Sequence, residues 1–174
     1  EPHNDFLKKV RERCNQVGAL LILDEIQPGF GRTGKLFGFQ NYDVVPDILV
    51  MGKGMGGGMP VGAFTASSAM MDLLSHDPKL GHITTFGGHP VIAAACLATL
   101  QEITETNLMA EALEKEKLIR SLLVHPLLLE VRGKGLMLAA MTEANKQFGS
   151  LPQGVWMAVA SLNSYRWVPG DFVD

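Results

Sequence analysis

The sequence predicts an α/β fold, in which a sheet is covered by helices. Two short and continuous apolar runs, 19–23 and 47–51, have the length and composition of buried strands. Segments with helical periodicity, 6–15 and 90–104, precede and follow these runs. Because the strands are apolar at consecutive positions, we expect both faces of the sheet to be covered.

Length and composition fit one globular domain, or one domain and part of a second. The chain has 174 residues, of which 47% are apolar and 19% charged, and its net charge is −3. This charge gives no reason to expect nucleic acid or an anionic membrane as a partner. Cys14 and Cys96 form no CxxC motif, which favours a reducing, cytoplasmic location. The longest uncharged stretches, 54–71 and 148–165, are too rich in polar and turn-forming residues to span a bilayer.

Two carboxylates follow the first predicted strand. Asp24 and Glu25 come directly after 19–23, and ligands bind at the carboxyl ends of strands in open α/β sheets. The alternative is that both acids cap the next turn and face water. The connection 25–46 has no clear helical period, but its aromatic residues predict a packed loop.

A lysine follows the second predicted strand. Gly52-Lys53-Gly54 comes after 47–51 and opens a glycine-rich turn. Lys53 is therefore a candidate amine for covalent chemistry or a phosphate ligand, and the alternative is a solvent-exposed lysine in a flexible turn. The next apolar run, 61–65, begins after only nine residues, too few for a parallel crossover, so these two strands are expected to be antiparallel.

The other elements are predicted from local signals. Gly18 ends the first helix, Ser67-Ser68 begins a short helix through Leu74, and Pro90 begins a helix to about 104. Residues 108–124 are predicted to form an amphipathic helix, and 127–131 and 136–141 are predicted to form strands. The loop before Pro90 contains Thr84, Thr85 and two glycines. This loop predicts an anion site at a helix N-terminus, with a simple ST-turn and helix cap as the alternative.

Two nucleotide motifs are matched only in part. Residues 52–57 satisfy GxGxxG, with Asp72 near the position of a ribose-binding acid, but the chain continues into a strand where a dinucleotide fold requires a helix. An ATPase P-loop is also absent, because Lys53 is followed by glycine and Asp47 occupies the position of the first glycine. An acid, a lysine and an anion-binding loop suit pyridoxal phosphate (PLP) better.

Four motifs make the resemblance specific. LLILDEIQPGFGRTG, MGKGMGGGMPVGA, HITTFGGHP and VRGKGL occur in this order and resemble the class III PLP-dependent aminotransferases, which include the acetylornithine, ornithine and 4-aminobutyrate enzymes. The resemblance covers about residues 5–141. It implies a fragment of the fold-type I large domain, a three-layer α/β/α structure with a mixed sheet, plus the start of the small C-terminal domain.

The resemblance assigns roles to individual residues. It implies that Lys53 forms the Schiff base with the cofactor, that Asp24 pairs with the pyridine nitrogen, and that Ile26 packs on the ring. It also implies that Gln27 contacts the ring hydroxyl. Thr85, with Thr84 beside it, is implied to reach the phosphate of the neighbouring subunit's cofactor in a homodimer.

The implied reaction is amino transfer from an amino acid or ω-amine to a 2-oxo acid. Racemases, decarboxylases and aminomutases of the same family share this lysine and acid, and a catalytically inactive fragment is a further alternative. The expected division is a large-domain part over 1–106, a connecting helix and the start of the small domain over 107–142, and an unassigned tail over 143–174. The chain begins without methionine, which is typical of a fragment.

Overall fold

The computed structural model describes residues 2, 5–76, 79 and 82–142, so the predicted tail 143–174 lies outside the described residues. Within them the helices are α1 (Phe6–Val17), α2 (Ser68–Asp72), α3 (Pro90–Glu105) and α4 (Leu108–Leu122), and the strands are β1 (Ile22–Asp24), β2 (Ile48–Gly52), β3 (Gly62–Thr65), β4 (Glu130–Lys134) and β5 (Met137–Met141). A three-stranded mixed sheet and a separate hairpin result, which confirms the α/β prediction. None of these helices is long and apolar enough to cross a lipid bilayer.

The central strand of the sheet is β2. It pairs in parallel with β1, placing Asp24 beside Val50, and in antiparallel fashion with β3, placing Gly52 beside Gly62. The antiparallel prediction for β2 and β3 is therefore confirmed. The short connection between them dictates this direction, because a parallel crossover needs a dozen or more residues.

The two faces of β1 differ in their burial. Leu21, which directly precedes β1, is 6% exposed, and Leu49, the partner of Leu23 on β2, is 8% exposed. Leu20 and Ile22 point to the other face and are 53% and 55% exposed. The prediction that both faces of this strand are covered is therefore wrong for the apolar run 19–23: among the described residues, only one face is buried.

Helix α1 is fixed to the sheet by a polar contact. The guanidinium of Arg11 donates to the carboxylate of Asp47 at 2.6 Å, and the backbone N–H of Leu21 donates to the same carboxylate oxygen at 2.7 Å. The helix ends at Gly18, as predicted, with a left-handed φ of 69°. Asp47 therefore connects the helix to both parallel strands at the end opposite the candidate site.

The long connection between β1 and β2 is a packed loop, as predicted. The loop includes a 3₁₀ turn over Gly38–Asn41. The ring of Phe37 stacks on Phe39 with centroids 5.8 Å apart and meets Phe30 edge-on at 5.6 Å. Such aromatic pairs add stability beyond the area they bury, so the loop has a core of its own.

The hairpin β4–β5 starts later in the sequence than predicted. We expected a strand over 127–131, but β4 covers Glu130–Lys134, and Leu127 and Leu129 are 71% and 41% exposed. The apolar run at 127–129 suggested a buried strand, but Leu127 and Leu129 are exposed and Leu128 is only half-buried. Arg132, Gly133 and Lys134 consequently lie in the strand and not in the turn.

The turn of this hairpin contacts both the long loop and α4. The backbone N–H of Leu136 donates to the carbonyl of Arg32 at 2.8 Å. The N–H of Gly135 donates to the carboxylate of Glu116 at 2.6 Å. Arg120 donates to the carbonyls of Val131 and Gly133 from the same helix. The hairpin is thus connected to the loop that follows β1.

Candidate active site

Asp24 and Lys53 lie at the same edge of the sheet. Asp24 is the last residue of β1, and Lys53 directly follows Gly52, the last residue of β2. The two strands are parallel neighbours with Asp24 in register with Val50, so both carboxyl ends meet at one edge. This is the position at which open α/β sheets bind ligands.

The backbone of Lys53 has an unusual conformation. Its φ is 43°, in the left-handed region that costs a residue with a Cβ about 1–2 kcal/mol. Lys53 begins a 3₁₀ turn, Lys53–Gly56, and its side chain is exposed. The side chain of Lys53 forms no hydrogen bond or ion pair with another described residue. The surrounding structure therefore holds a strained backbone at a lysine whose amine is available to a ligand.

The turn after β1 places Ile26 over Gly52, the residue before Lys53. Asp24 accepts the backbone N–H of Ile26 at 2.9 Å through one carboxylate oxygen. A Cβ placed on Gly52 would lie 3.6 Å from the side chain of Ile26, so Ile26 packs over the residue that precedes Lys53. Gln27 follows in the same turn and is exposed.

Glu25 has an environment opposite to that of Asp24. It is 3% exposed, and its two oxygens accept the backbone N–H groups of Gly38 and Phe39, each at 2.8 Å. Burial raises the pKa of Glu25, and the negative charge of Asp24 adds to this effect, while the two N–H donors lower it. The alternative in which both acids face water is wrong for Glu25. A sequence gives little signal for this role, because the two amides lie 13 and 14 residues away.

The loop that contains Thr84 and Thr85 lies at the N-terminus of α3. Both threonines are exposed, and the carbonyl of Thr84 accepts the N–H of Gly87 at 3.3 Å. The cap of α3 is the imidazole of His89, which accepts the N–H of Val91 at 3.3 Å. The alternative in which the threonine hydroxyls cap the helix is therefore not observed.

The predicted residues fall into two groups within this chain. Asp24, Ile26 and Lys53 lie at the carboxyl ends of the neighbouring strands β1 and β2, whereas Thr84 lines a cavity of about 490 Å³ formed with the turn before β3 and the start of α3. Asp24 lines a second cavity, of about 250 Å³, next to the long loop. Lys53 lines neither of these cavities, which agrees with its exposure at the sheet edge.

A family model for class-III aminotransferases matches residues 1–172. The chain belongs to the class-III aminotransferase family. The match extends beyond residues 5–141, which carry the recognised motifs, and includes most of the expected tail. Class-III aminotransferases depend on PLP, so the cofactor expected from the sequence is the cofactor of the family.

Relatives with assigned names agree with this membership. The chain is 45% identical over 152 residues to putrescine aminotransferase from Pectobacterium atrosepticum, covering 83% of this chain and 32% of that protein. It is 38% identical to acetylornithine aminotransferase from Caldanaerobacter subterraneus, covering 95% of this chain and 43% of that protein. The chain thus spans about a third to two fifths of the length of these aminotransferases.

Solved aminotransferase structures have the same fold. Ornithine aminotransferase from Toxoplasma gondii superposes with a TM-score of 0.75 at 32% identity, covering 83% of this chain and 35% of that one. N-acetylornithine aminotransferase from Stenotrophomonas maltophilia gives a TM-score of 0.69 at 37% identity, covering 80% and 36%. Another structure of the Toxoplasma gondii enzyme is described as having partial occupancy of PLP at its active site. The fold-type I prediction is confirmed.

Proposed function

We propose that this chain carries the lysine and the acid of a PLP-dependent aminotransferase that moves an amino group from an amino acid or ω-amine to a 2-oxo acid. One observation supports this most directly. Asp24 and Lys53 follow neighbouring parallel strands at one edge of the sheet, and Lys53 has a strained, left-handed backbone. The relatives named for ornithine, acetylornithine and putrescine favour a basic amine donor of this kind.

The residues at this edge suit the two ends of a pyridinium aldehyde. Lys53 supplies an exposed primary amine for the aldehyde carbon. Asp24 uses one oxygen for the N–H of Ile26, and its other oxygen accepts no hydrogen bond from a described residue, so it is free to accept a hydrogen bond from the protonated ring nitrogen. Ile26 offers an apolar surface for one face of the ring, and Gln27 offers an amide for its hydroxyl. Thr84 and Thr85 supply hydroxyls for the phosphate in a neighbouring subunit.

Each residue then has a defined task in amino transfer. PLP, when bound, supplies an electron sink that stabilises negative charge at the carbon next to the amine. Asp24 keeps a positive charge on the ring nitrogen by electrostatic pairing. Lys53 holds the cofactor before substrate arrives and afterwards acts as the general base that moves a proton from the substrate's α-carbon. Ile26 limits the movement of the ring from one side.

The experiment is chemical trapping of PLP on the chain. Addition of PLP followed by borohydride converts an attached lysine to a stable secondary amine, which peptide mass mapping locates. Lys53 is expected to carry the label at one equivalent of PLP. Lys53→Ala removes the label, and Lys35→Ala, an exposed lysine of the loop after β1, serves as the matched control and retains it. A label spread evenly over surface lysines in the unaltered chain contradicts the proposal.

Two further features belong to the same proposal. A homodimer is expected from the family resemblance, which implies that Thr85, with Thr84 beside it, reaches the phosphate of a neighbouring subunit's cofactor; Thr84 lines a cavity that Lys53 does not line. A reducing, cytoplasmic compartment is expected because Cys14 and Cys96 are both free thiols on separate helices. Sedimentation of the PLP-treated chain tests the first expectation, with a monomer as the contradicting result.

A further inference from the structure

Glu25 is a buried acid that the proposed reaction does not use. It is 3% exposed, and an ionised carboxylate is costly to bury unless hydrogen bonds compensate it. Here both oxygens are compensated, by the N–H groups of Gly38 and Phe39 at 2.8 Å each. Gly38 has no room for a side chain, because its Cβ would lie 2.9 Å from the Cβ of Pro28 and 3.3 Å from both carboxylate oxygens. This carboxylate therefore holds one specific stretch of backbone.

The backbone of Glu25 is held on two other sides. Its N–H donates to the carbonyl of Val50 at 2.8 Å and extends the β1–β2 ladder by one residue beyond Asp24. Its carbonyl accepts the N–H of Gly29 at 3.1 Å, and a Cβ on Gly29 would lie 2.6 Å from that carbonyl oxygen. A single residue thus joins β2, the turn at Gly29 and the 3₁₀ turn at Gly38.

A series of aromatic contacts connects Phe39 to the 3₁₀ turn Lys53–Gly56. Phe39 stacks on Phe37, and Phe37 meets Phe30 edge-on. Phe30 itself has a left-handed φ of 57°, and a Cβ on Gly54 would lie 3.3 Å from the Cβ of Phe30. Phe30 therefore packs against the backbone of the residue that follows Lys53.

We propose that Glu25 is a positioning residue, which holds the loop after β1 so that Phe30 packs against Gly54 and keeps Lys53 in its left-handed conformation. Phe30 has a left-handed backbone, as does Lys53, the residue before Gly54, and strain of this kind persists only when neighbouring contacts enforce it. The contribution of Lys53 to cofactor attachment rests on the proposed function. The effect of Glu25 on the Lys53–Gly56 turn does not.

The first measurement is amide hydrogen exchange on the chain without PLP. Glu25→Gln replaces one acceptor oxygen by an amide that cannot accept, so exchange at Gly38 and Phe39 is expected to accelerate. Gly57, whose N–H donates to the carbonyl of Gly54 at 3.3 Å, is expected to accelerate as well. Ala19, whose N–H donates to the carbonyl of Cys14 at 3.0 Å at the end of α1, is the internal reference and is expected to stay unchanged. Equal acceleration at all four amides means general destabilisation and overturns the proposal.

The second measurement is the rate of PLP attachment at Lys53, followed by trapping. Glu25→Gln is expected to slow attachment by roughly tenfold, because small misplacement of a reacting group lowers rates strongly, while full labelling is still reached with time. Phe30→Ala keeps the Cβ next to Gly54 but removes the ring that meets Phe37. It is expected to have the same two effects, and it tests this aromatic link even if Glu25→Gln does not fold. Glu12→Gln, an exposed acid of α1, is the matched control.

The outcomes separate this proposal from the proposed function. If Lys53 is not labelled in the unaltered chain, the proposed function fails, and exchange at Gly57 alone decides the role of Glu25. If Lys53 is labelled but neither variant changes the attachment rate or the exchange of Gly57, the positioning role fails and the proposed function stands.

Discussion

Gly57 and Thr99 are so close that a Cβ on Gly57 would overlap the hydroxyl oxygen of Thr99. Thr99 lies within α3, and its hydroxyl is held by the carbonyl of Ala95 at 2.8 Å. Gly57 ends the 3₁₀ turn that begins at Lys53 and has φ and ψ of 57° and 30°. The absence of a side chain at this glycine therefore allows α3 to pack directly against the 3₁₀ turn Lys53–Gly56.

Gly57→Ala is expected to lower the free energy of unfolding by about 2–4 kcal/mol. About 1–2 kcal/mol comes from the left-handed backbone and the rest from overlap with Thr99. Gly18→Ala is the matched control, because Gly18 has nearly the same φ and ψ, 69° and 23°, with no atom within 4 Å of its Cβ position. Its expected loss is only about 1–2 kcal/mol. Equal losses for the two variants in urea unfolding would show that the contact with Thr99 is unimportant.

Local features of the fold could be predicted from sequence, and features that depend on distant partners could not. Gly18 ends α1 because only a residue without a Cβ adopts the left-handed cap freely, and this signal is contained in one residue. The direction of β3 followed from the length of one connection. The burial of Glu25 depends on amides 13 and 14 residues away. The start of β4 was misplaced because apolar residues near Leu127 remain exposed.

The candidate site divides in the same way. The positions of Asp24 and Lys53 could be predicted because each directly follows an apolar strand, and parallel strands end at one edge. The strained φ of Lys53 could not be predicted, since lysine has no preference for the left-handed region. It depends on the packing of Phe30 against Gly54 and of α3 against Gly57, and no short sequence motif encodes these contacts.

The contact between Glu116 and Gly135 predicts how the hairpin is held. Glu116 accepts the N–H of Gly135 at 2.6 Å and the Nε of Arg120 at 2.9 Å, with a side chain that is 17% exposed. Glu116→Gln is expected to cost about 1–3 kcal/mol, the usual contribution of hydrogen bonds to a charged group. Glu114→Gln on the same helix breaks an ion pair to Lys117 that is 70–73% exposed, and is expected to cost no more than about 0.5 kcal/mol.

Hydrogen exchange at Gly135 and Leu136 shows whether the stability lost in Glu116→Gln comes from the turn of the hairpin. Both amides are expected to exchange faster in Glu116→Gln, because the N–H of Leu136 depends on the same turn reaching the carbonyl of Arg32. Unchanged exchange in that variant would mean that the turn is held by Arg32 alone.

Asp47 predicts a loss of stability in acid. The backbone N–H of Leu21 and then the guanidinium of Arg11 hold the pKa of this carboxyl below its ordinary value of 3.8. The unfolded chain therefore binds the proton more tightly, so the stability contributed by Asp47 is present above pH 3.8 and is lost as the pH falls through the folded-state pKa. Asp47→Asn is expected to show a smaller decrease in the free energy of unfolding over this acidic range.

The pH dependence of Glu25 has the opposite sign and must be separated from that of Asp47. Because burial raises the pKa of Glu25 above 4.5, its protonated form favours the folded state, and this contribution is lost as the pH rises through the folded-state pKa. Subtracting the Asp47→Asn profile from that of the unaltered chain cancels the effect of Glu25. A difference that does not change with pH in the acidic range would contradict the role of Asp47.

Asp24→Asn separates charge from geometry at the candidate site. Asparagine retains a side-chain oxygen for the N–H of Ile26, and residue 24 is exposed, so the free energy of unfolding is expected to change by no more than about 0.5 kcal/mol. The negative charge for the ring nitrogen is lost. Since a hydrogen bond to a charged group contributes about 1.5–3 kcal/mol, the dissociation constant for PLP is expected to rise roughly tenfold or more. Titration with PLP, followed by borohydride trapping, measures this constant while confirming that Lys53 remains the attachment site. An unchanged dissociation constant would mean that Asp24 does not pair with the cofactor.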